Sequence, residues 1–450
     1  MAPSSLYDLL ILGTGAAAST VASRTQAAGW RVGVIDFRPF GGTCALRGCD
    51  PKKVLVGAAR ATDHARRMRG KGVAGDVRIE WPELMAFKRS FTDPVPGQHE
   101  QSFEEKGIDA WRCKARFVGP TTLEVGGERL EARRILVAAG AEPIRLGIEG
   151  EEHLVTNEEF LALDTLPRRI AMVGGGYIAA EFSNIAAISG SEVTILQRGD
   201  RMLNPFEAEL VGWLMEAFEA HGIDVRTQTN VQGVEKTDTG YRVSVSTNGE
   251  SETVDADLVV HAGGRAPALM ELDLDAAGVK TSKGRLCLNG YLQSTSNEAV
   301  YAAGDAAQAG PPLTPVASHD AEVVAANLLQ GNHAKPDYRG VPSVAFSIPP
   351  IAAVGLSEQQ AKKQGKKFRV NCKKTSDWYT ARQQAQPVYG FKVLLDEDTD
   401  RILGAHLVGP HADEVINLFA LAIRHQLTAA ELKATMFSYP TGASDIAHML

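Results

Sequence analysis

Cysteine is scarce in this chain: five among 450 residues, an odd number with no repeating spacing. That count excludes a secreted disulfide framework and makes a reducing cytoplasm the expected setting. An excess of basic residues is missing too. Against 47 Lys and Arg stand 54 Asp and Glu, a formal charge of −7, which argues against nucleic-acid or polybasic membrane partners. Long apolar runs are also absent. The first apolar run, residues 6–12, follows no basic region and is too short for a signal segment or a membrane span. It reads as a strand. No low-complexity segment or like-charge block interrupts the chain, and its length predicts about two to four domains.

Two of the few cysteines stand close together, in Gly41-Gly42-Thr43-Cys44-Ala45-Leu46-Arg47-Gly48-Cys49-Asp50-Pro51-Lys52-Lys53. Asp50 can cap a helix and Pro51 suits a first turn, so Cys49 is expected at a helix N-terminus. The positive end of that helix, with Arg47, Lys52 and Lys53 nearby, favours a thiolate. In a regular α-helix, residues five apart have Cα atoms about 8.6 Å apart. A disulfide needs about 4.4–6.8 Å. Bonding of Cys44 to Cys49 therefore requires a distorted turn.

The N-terminal strand, residues 7–12, leads into Gly13-Thr14-Gly15-Ala16-Ala17-Ala18, an Ala-rich helix, and a second strand over 31–35 that ends in Asp36. This is a dinucleotide fingerprint in its proper setting. The glycines, with Ala18 at the last position, let backbone approach a pyrophosphate, and the acid holds a ribose diol. The device returns with a strand over 169–173, the turn Gly174-Gly175-Gly176-Tyr177-Ile178-Ala179, and a strand over 192–196. Gly13 to Asp36 is 23 residues, as is Gly174 to Gln197. The first copy keeps a carboxylate and reads as an FAD site. The second has Gln197 and Arg198, which can accept a 2′-phosphate, so it reads as preferring NADPH, with NADH possible.

Strands ending in small residues at Gly140 and Gly264 would return to each sheet. Another, over 300–303, ends in Gly304-Asp305, whose acid suits a polyol or ribose. Thr314-Pro315 reads as an N-cap and first helical residue of a helix through 329, its positive end suited to an anionic ring. From residue 341 onward, short strands with a hairpin across 396–400, then two helices, predict a separate α+β domain.

Two dinucleotide turns and a close cysteine pair imply a relay from nicotinamide to flavin to disulfide. On these motifs, together with Gly264-Arg265-Ala266-Pro267, Ala303-Gly304-Asp305, the 346–355 stretch and the terminal domain, the chain resembles the flavoprotein disulfide reductases: glutathione reductase, dihydrolipoamide dehydrogenase and mercuric reductase. The resemblance implies an α/β fold of two Rossmann-like dinucleotide-binding domains, one inserted in the other, plus a C-terminal α+β dimerisation domain. The boundaries expected are 1–147 and 268–335 for the FAD-binding and central parts, 148–267 for the NAD(P)H domain, and 336–450 for the interface domain. It further implies Cys44 as interchange thiol and Cys49 as charge-transfer thiol. Lys52 or Lys53 would pair with Glu181 near the flavin, Tyr177 would gate the nicotinamide, and Gly42, Thr43 and the backbone around Ala115 would touch FAD. A homodimer is implied, each terminal domain closing the partner's site.

The departures narrow the activity. Disulfide-reducing members carry a C-terminal His-Pro and a Glu five residues on; here stand Tyr439-Pro440 and Ser444. A phenol is a poor base at neutral pH, and losing a positioned acid or base costs about 10²–10⁴-fold. Glu322 and Ser23 fall where glutathione reductases place arginines. Tyr439 matches mercuric reductases, yet their C-terminal cysteine pair and N-terminal metal-binding domain are not seen. Cys113, Cys287 and Cys372 read as structural; His448 reads first as a solvated tail residue and second as a substitute acid in the partner's site, a role for which His319, His406, His411 and His425 rank lower. The reading is an NADPH-dependent FAD enzyme reducing a small disulfide other than glutathione disulfide. The alternatives are a soft-metal-ion or quinone reductase using the same thiols, and a non-enzymatic flavin redox sensor.

Overall fold

The computed structural model describes residues 6–450. They divide into two compact units. The first comprises residues up to Lys52, Lys88–Ile144 and Arg265–Tyr338; the second comprises Lys53–Phe87, Arg145–Gly264 and Arg339–Leu450.

In the first unit, parallel strands Asp109–Trp111, Val32–Ile35, Tyr7–Leu12, Glu128–Val137 and Val300–Ala302 lie side by side in that order. Leu9, Leu10, Ile11, Ile135 and Leu136 are fully buried, because a parallel sheet is covered on both faces and its strands read as unbroken apolar runs. The same long strand, Glu128–Val137, continues at its other end into an antiparallel ribbon with Thr122–Val125 and Ala115–Gly119. Helix Ala16–Ala27 packs on helix Thr314–Gln330 through small residues such as Ala17, Ala18 and Ala321.

The second unit repeats the pattern. Arg169–Val173 lies between Glu192–Leu196 and Leu258–His261, with Ile223–Arg226 outermost, all parallel. An antiparallel sheet of Thr229–Thr237, Gly240–Thr247 and Glu250–Ala256 follows. The C-terminal part is a five-stranded antiparallel sheet, in the order Ser343–Ala345, Ile351–Gly355, Ile402–Val408, Gly390–Asp396 and Phe368–Lys374. Asp396 fixes the hairpin by accepting from Thr399 N at 2.9 Å and Oγ1 at 2.8 Å. Helix Ala412–Arg424 covers the sheet.

The structure corrects some local expectations. Asp50 is not a cap: the helix begins at Cys49 and runs to Arg67, with Pro51 inside its first turn. Thr314 is likewise the first helical residue, and the cap is Leu313. Its hydroxyl is engaged elsewhere, as described below. The strand expected over 31–35 starts at Val32. The C-terminal part holds shorter helices besides the expected two, including Glu358–Lys363 and Ile446–Met449. No helix among the described residues is long and apolar enough to cross a membrane.

Candidate active site

The thiol pair is built by a broken helix. Gly41 and Gly42 adopt φ of +122° and +74°, open to glycine at little cost. A Cβ on Gly42 would stand 2.5 Å from Gly15 Cα, so the pair can press against the first dinucleotide turn only as glycine. Cys44 lies on helix Gly42–Arg47; Gly48 (φ −144°, ψ −110°) ends it, and Cys49 opens the next helix. The segment is thus an interrupted turn, the geometry that bonding of the two cysteines would require, and not one continuous helix.

Thr314 joins the two sulfurs. Its hydroxyl donates to Cys44 Sγ at 3.1 Å and lies 3.5 Å from Cys49 Sγ. The Cys49 thiol is pulled down to about 6, first by its hydrogen bond with Cys44 and then by Thr314 and the Lys52 ammonium, against the opposing effect of burial. Cys44 is pushed up, by its hydrogen bond with Cys49 and by burial. Cys49 therefore carries the charge and Cys44 the proton. Thr314 is a site residue that its sequence context marks only as a helix start; only the fold carries it to residues 44 and 49.

A cleft of about 370 Å³ runs beside this pair. Gly13, Gly15, Asp36, Gly42, Thr43, Cys44, Cys49, Ala115, Gly140, Gly304 and Asp305 all line it. Ala18 does not; it is buried in the helix face behind. At Gly13 (φ +115°) a Cβ would stand 2.3 Å from Ala138 O, so the turn closes on its neighbouring strand only as glycine. Asp36 Oδ2 accepts from Thr14 N at 3.1 Å and Oγ1 at 2.8 Å, and Oδ1 from Arg38 N at 3.0 Å. That fixed carboxylate retains lone pairs for a diol. Burial pushes the Asp305 carboxyl up, with Arg265 opposing. A glycine cradle, an anchored carboxylate, a helix N-terminus at Thr314 and a nearby thiol pair fit FAD.

In the second unit, Gly174 (φ +116°) repeats the arrangement, its Cβ position 2.3 Å from Ala262 O. Gly176 caps helix Tyr177–Ile188, in which Ala179 is buried. The Tyr177 ring packs edge-on against Phe206 with centroids 5.6 Å apart, and burial raises the pKa of its phenol. Glu181, on the same helix, is buried and accepts from Phe346 N at 2.9 Å. Arg198 is exposed just past strand Glu192–Leu196, and Gly264 takes φ +119° after strand Leu258–His261. These residues fit a nicotinamide nucleotide: a close-approach glycine turn at a helix start, an aromatic ring beside it, and a cation in place of an acid.

Lys52 is buried, its charge acting on Cys49. Lys53 Nζ stands 3.4 Å from Asp413 Oδ2 and 3.7 Å from the centre of the Phe346 ring. Arg60 donates to the same Asp413 at 3.2 Å. Asp413 carried no sequence signal, since a lone acid on an amphipathic helix reads as a surface residue. Tyr439 is 80% exposed. Arg24 pairs with Glu322, and Ser23 accepts from Lys106 at 3.1 Å, so the two positions that depart from glutathione reductases are engaged within the first unit.

Residues 7–321 match the family model described as pyridine nucleotide-disulphide oxidoreductase, and residues 341–450 match its dimerisation domain. A mercuric reductase of Lysinibacillus sphaericus is 33% identical, over 98% of this chain and 81% of its own. A glutathione reductase of Burkholderia cepacia is 31% identical, over 98% and 97%. A solved Cu(II) complex of the HOCl-induced flavoprotein disulfide reductase RclA from Escherichia coli shares 25% identity over 99% of both chains, with a TM-score of 0.88. With its two dinucleotide turns, its paired thiols and a match along nearly its whole length, the chain belongs to the pyridine nucleotide-disulphide oxidoreductase family, whose cofactors are FAD and NAD(P)H.

Proposed function

We propose that the chain is an NADPH-dependent reductase that passes electrons through FAD to Cys44 and Cys49, and from them to a small disulfide other than glutathione disulfide. The observation that carries this reading is the single hydroxyl, Thr314 Oγ1, set between two sulfurs of opposite protonation preference beside the first dinucleotide turn. FAD supplies the two-electron exchange between nicotinamide and sulfur. The protein's part begins with Cys49, whose thiolate accepts the Cys44 proton as Cys44 attacks one sulfur of the substrate. That forms a mixed disulfide and releases one thiolate, which takes the proton on from Cys49. The freed Cys49 thiolate then attacks Cys44 Sγ, closing the protein disulfide and releasing the second thiolate. The proton thus travels within the pair, which fits a chain where Tyr439 and Ser444 replace the usual dyad. A substrate with acidic leaving thiols suits it.

Within this reading Lys52 or Lys53 would pair with Glu181 near the flavin, Arg198 would take the 2′-phosphate, and the domains would be 1–147 with 268–335, 148–267 and 336–450. The dimerisation domain supports a homodimer, with Tyr439 offered to the partner's site, and the low, odd cysteine count suits a cytoplasmic setting.

A second reading has its own support. The mercuric reductase relatives and the Cu(II) complex of the RclA neighbour favour a soft metal ion as acceptor, held by the same two sulfurs. An anaerobic NADPH titration, followed by a panel of disulfides, metal ions and quinones, decides between them. Reduction should yield a long-wavelength thiolate–flavin absorbance. Cys44→Ser should lower disulfide or metal reduction by about 10³-fold or more, as loss of a nucleophile does. A protein that binds no FAD, or a Cys44→Ser variant with full disulfide turnover, would overturn the reading.

A further inference from the structure

A buried cation ties the C-terminal sheet to the loop behind the second glycine turn. Lys392, on strand Gly390–Asp396, exposes only 2% of its side chain. Its ammonium reaches Glu207 and Glu209 at 2.9 Å each and Glu358 at 2.5 Å. Such a charge persists in a protein interior only when paired. Burial pulls the lysine's pKa down, but the carboxylates of Glu358, Glu207 and Glu209 more than reverse this.

Glu207 is the pivotal partner. It precedes helix Ala208–Ala220, and its Oε1 accepts from Glu358 N at 2.7 Å and lies 3.9 Å from His406 Nε2. The residue before it is Phe206, whose ring packs against Tyr177. Upstream in the same loop, Leu203 N donates to Gly175 O at 2.8 Å, and Arg201 O accepts from Gln197 Nε2 at 2.9 Å. Loop 198–207 is therefore fastened to the glycine turn, to the Tyr177 ring and, at its far end, to Lys392.

We propose that Lys392 is a positioning residue for the nicotinamide nucleotide: it anchors Glu207, and through it holds Phe206 against Tyr177 and the loop against Gly175. The inference rests on the reading of Gly174–Ala179 as the nucleotide turn. A lysine drawn away from Glu207 would free the loop, and the ring and backbone that shape the pocket would lose their backing.

The test uses FAD-loaded wild type, Lys392→Met and Glu209→Gln, with NADP⁺ binding measured by calorimetry beside steady-state NADPH kinetics. Substitutions along such a coupling route change affinity by about 2- to 30-fold. Lys392→Met should raise Kd and KM within that range while kcat stays within about twofold, the signature of lost ground-state binding. Glu209→Gln, which removes one of three carboxylates at a half-exposed position, should move Kd the same way by less. An unchanged Kd in Lys392→Met, or a parallel loss of Kd, kcat and FAD content, overturns the positioning role. If Lys392→Met does not fold, Glu209→Gln decides, and an unchanged Kd overturns the inference. Should wild type itself bind neither NADP⁺ nor NAD⁺, the nucleotide reading fails first and takes this inference with it.

Discussion

The two glycine turns are near copies in backbone and opposites in what stands at the following strand's end. Gly13 and Gly174 share φ within a degree and the same clash distance of 2.3 Å to a neighbouring carbonyl. In the first copy, Asp36 turns its carboxylate back onto Thr14, which is free to carry a hydroxyl. In the second, Gln197 packs where any side chain on residue 175 would begin, 2.9 Å from that Cβ position, and donates away to Arg201 O. Gly175 is thus a consequence of Gln197. The residue 23 positions on thus differs in kind between the copies: an anchored carboxylate at Asp36, and at Gln197 an amide turned away with no negative charge.

The largest expected break of that comparison comes from adding a methyl at each turn. Gly13→Ala and Gly174→Ala both force a Cβ into a carbonyl at positive φ, a combined cost of about 2–6 kcal/mol from backbone strain and overpacking. Gly13→Ala should emerge without bound flavin, and Gly174→Ala should keep the flavin while losing nicotinamide binding. Absorbance and nucleotide titration read the two separately; identical losses in both would mean the turns are not independent.

Arg198→Ala sharpens the comparison at the second strand end. A charge-assisted hydrogen bond contributes about 1.5–3 kcal/mol, so the NADPH-over-NADH ratio of kcat/KM should fall by about 10- to 150-fold. FAD content should not change.

The thiols beside the first turn give the next test. The Cys49 thiolate forms as pH rises through about 6, so the alkylation rate of the reduced protein should climb through that pH and level off above it. Thr314→Val removes the hydroxyl 3.5 Å from Cys49 Sγ, a neighbour that lowers the pKa of that thiol. The midpoint should rise by about one pH unit, the equivalent of one hydrogen bond. A midpoint that does not move would detach Thr314 from the pair.

The smallest effect is expected at Tyr439, which is exposed and which the proposed mechanism relieves of proton transfer. Tyr439→Phe should slow disulfide turnover by less than about tenfold, well below the loss of a working acid or base. A larger drop would give the phenol a catalytic role.

Much of this was readable from local pattern. Strands Tyr7–Leu12, Arg169–Val173 and Glu192–Leu196 fall on the residues expected for them, because buried parallel strands show as short apolar runs closed by glycine. A distorted turn between Cys44 and Cys49 was expected only if they bond; the structure breaks the helix at Gly48 with both thiols free. Helix starts were less legible. Asp50 and Thr314 both look like caps, since a capping side chain and a functional one are the same residue types.

The sequence by itself determined the two turns, the acid in one and its absence in the other, and the spacing of the thiols, all set within about 25 residues of chain where backbone sterics and hydrogen bonding act locally. Only the tertiary structure decided which groups surround them. It brings Thr314 to two sulfurs some 265 positions away, sets Asp413 beneath Lys53 and Arg60, and encloses Lys392 among three carboxylates. Charge and hydrogen bonding act over a few ångströms of space whatever the separation along the chain, and no local pattern records which distant residue will fill that space.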